Sequence, residues 1–222
     1  MADLCEALLN FIFPPHCPLC HKYVKQRGDW CVSCLRRASR PQRLAVPAPV
    51  YFFVEETWAI SEYREGTQGL IRRLKYHGQR STLPYIRTLL REAEKNPEIR
   101  QLLAETDYAA AVPLHEERQR RRGFNQAELI FGDWLQMHAV PLLRPLRRVR
   151  GTKPMYELTQ KERQENLAGA FAAVKPPEIE GKHILLVDDI LTTGATLCAC
   201  AEVLRAAGAA SVKGLVLASD HR

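Results

Sequence analysis

The stretch Ile184-Leu-Leu-Val-Asp-Asp-Ile-Leu-Thr-Thr-Gly-Ala-Thr196 decides how this chain reads. With His183, its first half (HILLVD, 183–188) is an almost unbroken apolar run, which fits a strand buried on both faces of a sheet. That strand is expected to end in two adjacent carboxylates, Asp188 and Asp189. A Thr/Gly loop follows, then an expected helix over 195–207 stopped by Gly208. Working outward, 108–114 (YAAAVPL) and 212–218 (VKGLVLA) read as further strands, and 57–63 (TWAISEY) alternates enough for another. Helices are expected over 66–77, 82–95 and 125–138. In the second, Leu83, Ile86, Leu89 and Leu90 share a face, and Asn96-Pro97 stops it. In the third, Asn125 and Glu128 have capping-box spacing, and Ile130, Trp134 and Leu135 form the apolar stripe. Strands alternating with helices imply an α/β fold, an open twisted parallel sheet flanked by helices.

In such a sheet, ligands bind beyond the carboxyl ends of the strands. The loop Thr192, Thr193, Gly194, Ala195, Thr196 offers backbone amides, hydroxyls and a helix N-terminus, the parts of a phosphate cradle. Gly194 lets the backbone come close to a ligand. Carboxylates beside a phosphate would repel it, unless they hold sugar hydroxyls or a hydrated cation. Phosphate, ribose hydroxyls and Mg²⁺ together describe a phosphoribosyl group. The plainer reading is a polar strand end with an Asx-type turn. The complete strand–loop–helix context argues against it. A Walker A loop is excluded, since no Gly-Lys-Ser/Thr follows the strand, and GxGxxG is absent.

A second segment, Val112-Pro-Leu-His-Glu-Glu-Arg-Gln-Arg-Arg-Arg-Gly-Phe-Asn-Gln126, also follows an expected strand. Arg118, Arg120, Arg121 and Arg122 place four guanidinium groups in what reads as one short loop before Gly123, suited to a pyrophosphate. A solvated basic turn is the bland alternative. Position after a strand favours the pyrophosphate.

The N-terminal part reads differently. Four of the 7 cysteines, Cys17, Cys20, Cys31 and Cys34, follow C-x2-C-x10-C-x2-C. Two CxxC knuckles set four thiolates around one structural Zn²⁺, with no open position for catalysis. Disulfides, which suit secreted chains, or free thiols are the alternatives. His16 and His21 are reserve ligands, and Cys198 and Cys200 read as small packing residues. Residues 1–16 read as a short amphipathic helix within a zinc-binding module over 1–40. The proline-bearing 41–56 reads as a linker, and 57–222 as the α/β domain. The chain has 222 residues, 46% hydrophobic and 26% charged, with net charge +7. That balance excludes disordered, collagen-like and coiled-coil classes. No charge-free window of about 18 residues exists, so no membrane insertion is expected. The apolar run Ala7–Pro15 lacks a basic flank and a cleavage site, so a cytoplasmic protein is expected.

The 184–196 segment closely resembles the phosphoribosyl-pyrophosphate (PRPP) signature of type I phosphoribosyltransferases. The resemblance implies that Asp188 and Asp189 hold the ribose hydroxyls and that Thr192, Thr193, Gly194, Ala195 and Thr196 hold the 5′-phosphate. Arg118, Arg122 and Gly123 fall in what resembles the pyrophosphate loop of that fold. With the knuckles in front, and with Leu70-Ile-Arg-Arg-Leu-Lys-Tyr76 and Gln164-Glu-Asn-Leu-Ala-Gly-Ala-Phe171, nearly the whole chain is similar to the competence protein F (ComF) family. One departure is Thr152-Lys153-Pro154-Met155, where the family usually has Gln in the Met position. Residues 151–166 then correspond to a flexible loop closing over PRPP, from which Lys153, Lys161 and Arg163 meet pyrophosphate. The acceptor pocket is expected in the 57–80 region, with Tyr63, Lys75 and Tyr76 as candidates. The implied function is a phosphoribosyltransferase binding PRPP and Mg²⁺, with an unidentified acceptor and a role in DNA uptake during natural competence. The alternative is a non-catalytic accessory protein of the transformation machinery that binds single-stranded DNA. A competence helicase is an implied partner.

Overall fold

The computed structural model describes residues 12–45, 52–151, 169–174 and 179–220, together with Asn10 and Leu167. The expected loop residues Lys153, Lys161 and Arg163, and most of the expected 1–16 helix, lie outside the described residues.

The sheet follows from the apolar runs. Strands β1 (Ser39–Arg43), β2 (Thr57–Glu62), β3 (Tyr108–Ala111), β4 (Leu142–Leu143), β7 (His183–Leu191) and β8 (Ser211–Ser219) form one six-stranded sheet in the order β1-β2-β8-β7-β3-β4. Strands β5 (Leu146–Arg148) and β6 (Phe171–Ala173) form a separate antiparallel pair. All neighbours in the large sheet are parallel except β1 and β2. The carboxyl ends of β2, β3, β7 and β8 therefore share one edge.

The helices are α1 (Val32–Ala38), α2 (Glu65–His77), α3 (Leu83–Ala93), α4 (Pro97–Ala104), α5 (Glu116–Arg122), α6 (Gln126–Met137) and α7 (Ala195–Ala206). Burial divides the core by strand alternation. Trp58, Ile60, Ala109, Leu185, Val187 and Leu215 pack with Leu70, Ile86, Leu90 and Phe131 of α2, α3 and α6. Ala59, Ala110, Ile184, Leu186 and Val216 pack with Leu197, Ala201 and Leu204 of α7. Gly214 marks the closest approach on that second side: a Cβ there would lie 2.7 Å from Leu197 Cδ2.

Several details depart from the expectations. Strand β7 does not end at the two aspartates but runs on to Leu191, because β8 continues alongside it as far as Ser219. The arginine segment is not a loop but helix α5. Glu116 and Glu117 lie in its first turn and Arg120, Arg121 and Arg122 in its last, which suits the helix dipole, and Gly123 caps it at φ 79°. Asn96-Pro97 stops α3 and also starts α4, with the Asn96 side chain accepting the Glu98 amide at 2.8 Å. Asn125 caps α6 through the Ala127 amide, but Glu128 turns away to a bidentate pair with Arg144 at 2.8 and 2.7 Å.

The segment expected as a linker begins inside β1, which Pro41 does not prevent. An edge strand tolerates a residue without an amide donor, and a bulge separates Ser39 from Gln42. The N-terminal module packs into the first side of the core through Cys17, Val24, Trp30 and Cys34. Trp30 Nε1 donates to the Tyr85 carbonyl at 3.0 Å, and Thr88 Oγ1 donates to the Gly28 carbonyl at 2.8 Å. Module and sheet share one apolar core. Among the described residues, no helix is long and apolar enough to cross a membrane.

Candidate functional site

The carboxyl end of β7 places two carboxylates in a closed setting. Asp189 is only 3% exposed, and Asp188 is half-buried. Consecutive strand residues face opposite ways. Asp189 meets Lys75 from α2, with Nζ at 2.9 Å from Oδ2 and 3.2 Å from Oδ1. The Oδ2 contact is an ion pair outside hydrogen-bonding geometry, so that buried oxygen has no hydrogen-bond partner. Asp188 lies in the field of Arg148 and Cys200, and its Oδ1 accepts the Asp189 amide at 2.8 Å. Burial, and then the neighbouring Asp189 charge, push the Asp188 carboxyl up to about 8, against the pull of Lys75. Burial of the Lys75 ammonium works against its charge, but Asp189 and Asp188 outweigh it and hold the pKa above the usual lysine value.

Beyond β7 the chain turns through Thr192 and Thr193 to Gly194, which sits at φ 74° and begins α7. No side chain caps this helix start, so its first amides have no side-chain acceptor, a few residues beyond the acidic pair. Thr192 is exposed, Thr193 and Thr196 are half-buried, and Ala195 is buried.

Helix α5 supplies the cationic wall. Arg122 lies within electrostatic reach of Asp189 and Tyr76, and its Nη1 donates to Gln126 Oε1. Burial lowers its pKa, as do Arg118 and Arg121. Arg118 also faces Arg148, whose guanidinium stacks 5.4 Å from the Phe171 ring centre. Between α5, α6 and β5 lies a cleft of about 340 Å³ with Leu114 and Leu146 among its apolar lining and Arg120, Arg147 and Arg148 on its walls.

The structure therefore brings Asp188, Asp189 and Thr192–Thr196 together, with Arg122 facing Asp189. Arg118 stands beside Arg122 and Arg148. Of the acceptor-pocket candidates, Tyr76 is 70% exposed and Tyr63 packs against the core. Lys75 is turned onto the acidic pair instead. Its place had a sequence signal: it lies four residues after Ile71 and beside Leu74, at the margin of the buried stripe of α2.

The second site is the knuckle pair. The sulfurs of Cys17, Cys20, Cys31 and Cys34 all lie within 4.8 Å of one another, and these cysteines are free thiols, not disulfides. Cys20 and Cys31 sulfurs approach to 3.5 Å. A tetrahedral zinc with bonds of about 2.3 Å sets its sulfurs about 3.8 Å apart, so the cluster fits that ion. The Ser33 hydroxyl, then the Cys34 amide, draw Cys31 down to about 6, while burial drives Cys34 to about 12. His16 and His21 are not part of the cluster.

A double zinc ribbon domain model matches residues 8–45, and a phosphoribosyl transferase domain model matches residues 137–222. The DNA utilization protein YhgH of Salmonella typhimurium is 30% identical over 205 residues, covering 89% of this chain and 87% of that protein. Competence protein F of Haemophilus influenzae is 28% identical over 205 residues, covering 90% and 82%. The chain belongs to the competence protein F family. A further member, competence protein ComFC of Bacillus subtilis, is 37% identical over 107 residues, 48% of this chain and 42% of that one. This chain thus carries a zinc ribbon domain ahead of a phosphoribosyl transferase domain.

Proposed function

We propose that this competence protein F family member binds PRPP with Mg²⁺ at the segment Asp188–Thr196 and serves DNA uptake inside the cell. The carrying observation is the junction of an acidic pair, Asp189 buried and Asp188 half-buried, with an uncapped helix start, Gly194 and Ala195, only a few residues downstream. Anionic oxygen donors suit ribose hydroxyls and a hard divalent cation, and open amides suit a phosphate. Bound Mg²⁺ would neutralise charge on the diphosphate. Asp188 and Asp189 would orient the ribose, and Thr192–Thr196 would hold the 5′-phosphate. Arg118, Arg122 and Gly123 would meet the pyrophosphate, with Lys153, Lys161 and Arg163 closing over it. Departure of pyrophosphate leaves cationic character at C1, so arginines on the leaving group favour transfer to a nucleophile such as a ring nitrogen. The zinc-binding module would hold one structural Zn²⁺ through Cys17, Cys20, Cys31 and Cys34. The DNA uptake role comes from the names of the relatives.

Titration calorimetry with PRPP and Mg²⁺ is the test. Binding that needs the cation supports the reading, and its absence at millimolar ligand removes it. A screen of bases and nucleotides for pyrophosphate release then identifies the acceptor.

A second reading has its own support. The arginine-walled cleft with Leu114 and Leu146 in its lining suits a phosphate backbone with a base against an apolar floor. A non-catalytic accessory protein would bind single-stranded DNA there, with or without a helicase partner. Its affinity should fall with salt by a slope of about 0.7 per phosphate neutralised.

A further inference from the structure

Lys75 stands out because nothing in the packing of α2 requires a cation there. That helix is anchored by Leu70, Ile71 and Leu74, which are essentially fully buried. Lys75 comes from a segment 114 residues earlier in the chain than Asp189, yet its ammonium contacts both oxygens of that carboxylate. Its side chain is 23% exposed against 4% for Asp189, so the pair is largely shielded from solvent near the carboxyl end of β7. The half-buried ammonium of Lys213 has a structural role by contrast. At the opposite edge of the sheet Lys213 bridges Glu56 at 2.8 Å and Glu105 at 2.7 Å, far from the uncapped helix start.

We propose that Lys75 is an internal counter-ion that occupies the place of a divalent cation at Asp189, and that a divalent cation binds there only by displacing it. The inference rests on the reading that this strand end takes a cation-bound sugar diphosphate. The physical reasoning has three steps. Two carboxylates side by side in a half-closed site repel each other unless a cation is near. Lysine provides that cation on a flexible four-carbon stem, as a point charge with no fixed geometry. An approaching divalent cation needs the same carboxylate oxygens, and like charges at that distance exclude each other. The displaced ammonium carries three donors and no acceptor, so it needs a new anion. The phosphate oxygens of an incoming ligand meet that need. Metal alone therefore binds weakly, and metal with ligand binds together.

The experiment uses Mn²⁺ alone as probe, followed by electron paramagnetic resonance on the full-length protein. Lys75→Met is expected to bind Mn²⁺ at least tenfold more tightly than the parent. Lys75→Gln, with similar length and a polar end, should do the same and serves if the methionine variant fails to fold. Lys75→Arg should stay as weak as the parent. Adding Asp189→Asn to Lys75→Met should erase the gain, which ties it to this carboxylate. Unchanged or weaker Mn²⁺ binding in both neutral variants overturns the proposal, as does a gain that survives Asp189→Asn. PRPP with Mg²⁺ is titrated into the parent in parallel. A parent that binds PRPP while the neutral variants show no Mn²⁺ gain loses the Lys75 inference alone. A Mn²⁺ gain without PRPP binding in the parent keeps the counter-ion and removes the PRPP reading.

Discussion

The N-terminal thiol cluster and the acidic pair of β7 pose the same electrostatic problem and solve it differently. Each brings ionisable groups of one sign together. Around Cys17, Cys20, Cys31 and Cys34, the help comes from backbone amides and the Ser33 hydroxyl. At Asp188 and Asp189 it comes from a charged side chain, Lys75. A cluster supported only by hydrogen bonds depends on a metal ion to hold several thiolates at once. A pair with an internal cation is complete before any ligand arrives. The first site thus suits permanent occupation, and the second, on the counter-ion proposal, suits exchange.

The largest expected effect lies at the thiol cluster. Purified protein should carry one zinc per chain, and less than half an equivalent by elemental analysis would break the comparison at once. Cys34→Ser should lower Tm by roughly 10 °C or more, since a structural zinc contributes folding free energy directly. Because Trp30 and Cys34 share a core with Leu83 and Ile86, the loss should reach the sheet and not stay within the module. Circular dichroism melts that show an unchanged main transition would refute this shared core.

The next effect is on ligand binding. Changing Asp188 and Asp189 together to Asn keeps their shape and removes the carboxylate acceptors offered to the ligand. Charge-assisted hydrogen bonds contribute roughly 1.5–3 kcal/mol each, so PRPP affinity should fall at least tenfold. Calorimetry that finds parental affinity would place the ligand elsewhere.

The single variants should separate in stability. Asp188→Asn removes a carboxyl that burial and Asp189 keep from ionising in the fold, and should raise Tm by a few degrees. Asp189→Asn leaves the Lys75 ammonium in a half-closed site without its carboxylate and should lower Tm. Equal shifts of the same sign would show that Lys75 is not specific to Asp189.

Much of this was legible in the sequence, for identifiable reasons. Of the strands that read correctly, β3, β7 and β8 are largely apolar runs and β2 reads by alternation, signals that do not depend on distant partners. Strand β1 did not read as one, because SRPQR has no apolar period and is strand only by pairing with β2. Strands β5 and β6 are three residues each, too short for any periodicity, and exist through each other. The arginine helix was masked by its charge, since its stabilisation is end-to-end polarity and not an apolar stripe. At the site, Asp188, Asp189 and the Thr192–Thr196 turn were readable because they are contiguous. The Lys75 contact was not, because it joins two elements that only the fold brings together.

A slope with pH tests the asymmetry within the acidic pair. In the folded protein the Asp188 carboxyl is raised to about 8, by burial and then by Asp189. Unfolded, it returns to an ordinary aspartate value of about 3.9. Between those values the folded state holds a proton that the unfolded state has lost. A state that binds more protons is favoured by lower pH. Asp188 therefore makes stability fall as pH rises through the window from about 4 to 8, the opposite of a carboxylate stabilised in its charged form. Asp188→Asn removes the proton difference, so its denaturant midpoint should fall less across that window than the parent's. The Glu128→Gln variant is the control, because its exposed partner Arg144 makes it an ordinary surface pair with little effect on the slope. Parallel curves for parent and Asp188→Asn would show that Lys75 neutralises both carboxylates and not Asp189 alone.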